Sequence, residues 1–88
     1  MKVRGRSLSA GTATAFHFEL RQAVREDPLR EGSYEQLMRE LWLGERRVDA
    51  LRVYHDLRAT LARTLDVQPQ ARATRLYEAI RRDAAIAV

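Results

Sequence analysis

A chain of 88 residues with 45% hydrophobic content holds enough apolar material for one domain. It has no cysteine, which excludes disulfides and thiolate metal sites as supports for so small a fold. The formal charge is +4, and fifteen of the sixteen basic residues are arginine, Lys2 being the lysine. Along the chain the signs alternate, as in Glu19, Arg21, Arg25, Glu26, Asp27, Arg30 and Glu31, which is the pattern of a solvated helical surface rather than a phosphate-gripping face. The opening stretch MKVRGRSLSAGTATAF contains no apolar run suited to a secretory signal or a membrane span, so a cytoplasmic protein with no membrane contact is expected. A chain of this size buries only about 60 to 65% of its unfolded surface, and additional support from self-association is expected.

Residues 1–12 lack periodicity and carry Lys2, Arg4 and Arg6, the composition of a flexible basic arm; residues 13–88 read as a single helical domain. From about Thr14 to Glu26, Phe16, Leu20, Ala23 and Val24 recur at helical spacing, and Asp27-Pro28 ends the run, with Leu29 expected to cover the turn. Tyr34, Leu37, Met38, Leu41 and Trp42 follow at i, i+3, i+4, i+7 and i+8, one stripe on a second helix. Ser33 and Gln36 suit a capping box, and Gly44 suits a left-handed stop. Val48, Leu51, Tyr54, Leu57, Leu61 and Leu65 predict a third helix from about Arg46 to Leu65. The connector Asp66-Val67-Gln68-Pro69 leads to a fourth, with Ala73, Leu76, Tyr77, Ile80 and Ala84 on its apolar face. The expected fold is all-α, with about four helices in antiparallel hairpins.

The spacing also fits the 34-residue tetratricopeptide (TPR) unit. With Ala50 at the small position of the second helix, Tyr34 takes the early aromatic position, Leu37 and Leu41 the inner positions, and Tyr54 the later aromatic one. Met38 stands where glycine or alanine is usual, which implies wider helix separation or a side chain bent aside. One period earlier, Pro28, Leu20 and Ala23 correspond to Ala62, Tyr54 and Leu57, so about one and a half repeats are present.

Asp27-Pro28-Leu29-Arg30-Glu31, Leu37-Met38, Asp49-Ala50-Leu51 with Tyr54, Leu65 through Pro69, and Leu76-Tyr77 lie within residues 18–83. Together they resemble the bacterial transcriptional activator domain of SARP-type antibiotic-regulatory proteins. The family's leucine-glycine-valine before the connector proline is Leu65-Asp66-Val67 here, and aspartate enters left-handed geometry more readily than most residues. In the family this module follows a winged-helix DNA-binding domain and further helices, and residues 1–17 match neither. The resemblance implies a regulatory context without carrying DNA binding across.

Catalytic and cofactor chemistry finds no footing. His17 and His55 fall on different helices without cysteine neighbours, which is too few ligands for zinc. Asp49 and His55, six apart, face different ways on one helix, and the glycines at 5, 11, 32 and 44 form no phosphate loop. No small-molecule substrate is expected. In TPR geometry the groove of the second helix would be lined by Gly32, Glu35, Arg39 and Trp42, and tryptophan beside arginine is a composition enriched at binding hot spots. Trp42 also reads as the last member of the core stripe begun at Tyr34.

The expected function is a non-catalytic protein-interaction module of bacterial transcription regulation that self-associates as a dimer or larger assembly. Two alternatives stand beside it: a nucleic-acid-binding regulator using Lys2, Arg4, Arg6, Arg46, Arg47, Arg81 and Arg82, and a truncated fragment of a larger SARP-type regulator.

Overall fold

The structure is a computed structural model that describes residues 17–87, with side chains through Asp83. The basic arm at 1–12, the start of the first helix at Thr14, and Phe16 lie outside the described residues. Four helices and no strand occur among the described residues: α1 over residues 17–26, α2 Glu31–Leu43, α3 Arg47–Thr64 and α4 Ala71–Ala87.

Pro28 stops α1, and the chain re-enters helix through a tight turn in which the Arg30 amide donates to the Asp27 carbonyl at 3.1 Å. Helix α2 therefore starts at Glu31, and Ser33 lies inside its first turn. The Ser33/Gln36 capping box does not form: the N-cap is Arg30, with no side-chain cap. The Tyr34 hydroxyl instead braces the turn by donating to the Pro28 carbonyl at 2.8 Å, and burial pushes its phenol above the ordinary tyrosine pKa.

The stop of α2 is displaced by one residue from the glycine. Gly44 has φ −86°, while Glu45 takes the left-handed conformation at φ 63°. The Glu45 amide donates to the Trp42 carbonyl at 3.0 Å and the Arg46 amide to the Leu41 carbonyl at 2.8 Å, the paired bonds of a Schellman motif. A Cβ on Gly44 would lie 3.4 Å from the Glu40 carbonyl oxygen and 3.9 Å from His17 Cε1, so the start of α1 sits against this turn. Helix α3 ends in a similar way: Asp66 adopts φ 57°, and the Val67 amide reaches back to the Leu61 carbonyl at 3.4 Å.

The core is shared chiefly by α2 and α3. Tyr34, Leu37, Met38 and Leu41 of α2 meet Ala50, Val53, Tyr54, Leu57 and Leu61 of α3, with Leu20, Ala73 and Ile80 added from α1 and α4. The buried stripe of α3 is thus rotated from the one expected: Val53 is inside, whereas Val48 and Leu65 at the helix ends face solvent, as does Leu29 in the first turn. Periodicity alone does not distinguish an apolar residue over the core from one beyond its edge. Ala50 occupies the small position and is fully buried. Met38 is also fully buried, so its unbranched side chain fills the space that a smaller residue would leave between the helices.

Two substitutions test these features. Met38→Ala should cost about 2 to 5 kcal/mol in thermal or urea unfolding, whereas a Met38 that merely props the helices apart would give a neutral or stabilising result. Glu45→Gly should gain up to about 1 kcal/mol, because glycine enters the left-handed region without a Cβ penalty; an unchanged or lower midpoint would argue against the strain at Glu45.

Candidate interaction surfaces

Helix α4 lies along α2 in the same direction, tied by three polar bonds in register. The Gln70 amide, at the entry to α4, donates to Glu31 Oε1 at 2.9 Å. This carboxylate from another helix supplies both an acceptor and a negative charge at an N-terminus. Arg72 Nε donates to Glu35 Oε1 at 2.9 Å, and Trp42 Nε1 donates to Asp83 Oδ2 at 2.9 Å. Short connections make α2 antiparallel to α3 and α3 antiparallel to α4, which leaves α2 and α4 side by side and parallel, as the first helices of successive TPR units are.

The four residues expected to line a groove thus have different surroundings. Glu35 is 3% exposed and lies beneath Arg72, which is itself 66% exposed; Glu35 Oε2 is buried without a hydrogen-bond partner. Trp42 packs partly against the core while its indole nitrogen reaches α4, so it combines the core and edge readings. Arg39 and Gly32 remain exposed, on a stripe with Gln36 and Leu43. Arg72 and Asp83 carried no signal in the sequence, because their partners lie 37 and 41 residues away and only the superposition of two helices reveals them.

The remaining titratable groups are dispersed. His55 Nε2 lies 3.5 Å from the Tyr77 hydroxyl, at the edge of a stack formed by Tyr77 and Tyr54 with ring centroids 4.2 Å apart. Among the described residues no group of His, Asp and Glu is arranged to hold a metal ion. Of the arginines considered for nucleic acid, Arg46 is bonded to Asp49 at 2.7 Å and Arg81 to Glu78 at 3.0 Å, while Arg47 is half-buried and Arg82 exposed. Lys2, Arg4 and Arg6 lie outside the described residues. No helix among the described residues is long and apolar enough to cross a membrane.

A further cleft of about 190 Å³ opens between α1 and α3 with α2 as its floor. Tyr34, Leu37, Val24 and Val53 supply its apolar lining, Arg21 and Arg25 stand on the α1 side, and Asp56 on the α3 side.

Paired antiparallel helices, a fully buried small residue between them and parallel first helices define a TPR-like all-α module. The family model of the bacterial transcriptional activator domain matches residues 2–81. The chain belongs to that family and so to the domains of bacterial transcription regulation. The match begins ahead of the motifs at 18–83 and takes in residues 2–17, in which the sequence shows neither the family's winged-helix domain nor its further helices. No curated protein matches the chain. Among solved structures, Mycobacterium tuberculosis EmbR in complex with low affinity phosphopeptide is similar, at 34% identity and a TM-score of 0.78. The similarity covers 86% of this chain and 20% of the EmbR chain, so this chain spans about one fifth of that length.

The Glu35–Arg72 pair yields a graded prediction. Arg72→Ala should cost about 1 to 3 kcal/mol by leaving a buried carboxylate without its donor, less than for a fully buried pair because Arg72 is largely solvated. Glu35→Leu, which removes the buried charge, should leave stability within about 1 kcal/mol of the parent or above it. Chemical denaturation of the two variants provides the comparison, and equal losses in both would contradict this account.

Proposed function

We propose that this chain is a non-catalytic protein-interaction module of bacterial transcription regulation, acting in the cytoplasm and self-associating as a dimer. On this reading residues 13–88 form one helical domain behind a basic arm at 1–12, and Arg39 and Trp42 border a partner-binding face, with Glu35 supporting it from below through Arg72.

The observation that carries self-association is a group of exposed apolar residues at one end of the helices. Phe18 is 62% exposed, Leu43 75% and Val48 60%. His17 abuts Gly44, so Phe18 beside His17, Leu43 beside Gly44 and Val48 in the first turn of α3 share that end. Large apolar side chains grouped in water are the usual mark of an association surface. A protein-binding role is also supported by the similar EmbR structure, which holds a phosphopeptide. The nucleic-acid reading draws little from Arg46 or Arg81, whose charges are engaged by Asp49 and Glu78.

Sedimentation velocity over a concentration series should show the sedimentation coefficient rising with concentration, and Leu43→Glu should shift the population toward monomer without altering the helical circular dichroism. A folded monomer across the whole series would end the self-association reading.

A further inference from the structure

The α1–α3 cleft has no part in the self-association surface or the α2–α4 face. Its floor is sealed, since Tyr34, Leu37 and Val53 are all buried, while Val24 is only partly covered and forms one apolar lip. Its volume is about 190 Å³, and it is open to solvent along its rim, where Arg21, Arg25 and Asp56 stand. One side chain can therefore enter it from the rim. Arg21 and Arg25 stand one turn apart along the α1 wall. Neither forms an ion pair among the described residues; the Arg25 guanidinium is held by the Gln22 side-chain carbonyl. Asp56 on the facing wall is also without an ion pair there, so the lining has two positive charges against one negative.

We propose that this cleft is a docking site for an acidic segment of a partner protein, which lays one apolar side chain against Val24, over the floor of Tyr34, Leu37 and Val53, and sets carboxylates against Arg21 and Arg25. The Arg21/Arg25 pair supplies the charge selection, because two cations at the rim of an apolar slot favour acidic flanks around the anchor and disfavour basic ones. The apolar slot supplies the anchor site, since hot-spot side chains enter desolvated pockets ringed by polar contacts. Asp56 then accepts a hydrogen bond from an amide or hydroxyl on the opposite side of the segment. The proposal rests on the reading of the chain as a protein-interaction module, but not on its self-association.

The test is an amide-shift titration of the full 88-residue chain, labelled with ¹⁵N, using the acetylated and amidated peptide EDLLDFE as probe and KRLLKFK as its charge-reversed control. The expected result is saturable shifts at the Val24, Leu37 and Val53 amides with the acidic peptide only. The affinity should fall with added salt and about tenfold in the double variant Arg21→Glu/Arg25→Glu. Both side chains are exposed, and Arg21→Gln/Arg25→Gln, expected to weaken binding in the same direction, serves if the reversal disturbs folding. Absence of saturable shifts, equal binding of the basic peptide, or an unchanged affinity in the folded variant would overturn the proposal. Concentration-dependent shifts at these amides without peptide would overturn it in favour of a second copy as occupant. Sedimentation of the same samples separates the two readings: a dimer whose cleft ignores the acidic peptide removes the docking site and leaves self-association standing.

Discussion

The seating of α3 on α2 is the contact on which the other elements depend. Met38, Leu41, Leu57 and Leu61 are fully buried within it, as is Ala50 one turn into α3. Neither helix alone buries its stripe, so the pair forms as a unit and presents two flanks. Leu20 of α1 packs against the core these helices create, and Ala73 and Ile80 of α4 do the same. The three-residue turn holding Gly44 and Glu45 sets the antiparallel direction, and its two back-bonds leave few carbonyls at the end of α2 unmet.

Polar bonds then tie α4, seated through Ala73 and Ile80, to the side of α2. Glu31, Glu35 and Trp42 fall along one side of α2 and take their partners from α4 in the same order, which matches the parallel alignment that the short connections impose and marks its register. Of these, Glu35 is the most demanding, because a carboxylate out of water needs donors and Arg72 provides for one oxygen. The result is that residues which would be free in an isolated hairpin become structural, while Arg39 stays available at the surface. The same geometry leaves the opposite side of the pair open between α1 and α3, where the cleft lies.

Much of the helix pattern was legible in the sequence. The 3.6-residue spacing of Tyr34, Leu37, Met38 and Leu41 identified the buried face of α2 because no other orientation hides all four. Pro28 and Pro69 marked breaks for the local reason that proline lacks an amide hydrogen and restricts its neighbour. The capping details were less legible: Gly44 suggested the left-handed position, yet the hydrogen bonds place it at Glu45. A cap is chosen by where the helix can close its last bonds, and one residue either way changes little in the apolar pattern. Of the four residues expected to line a groove, Gly32 and Arg39 are exposed, whereas Glu35 is buried and Trp42 is bonded to α4.

By itself the sequence determined the all-α class, the approximate limits of the helices and the kinship with a regulatory domain, since these depend on local periodicity, on proline and on short motifs. Only the tertiary structure decided which polar residues became buried, which apolar residues were left in water at the helix ends, and that Arg21, Arg25 and Asp56 face one cleft. Those outcomes depend on the packing of helices distant in sequence. A side chain's partner across that distance leaves no mark in the spacing of its own helix.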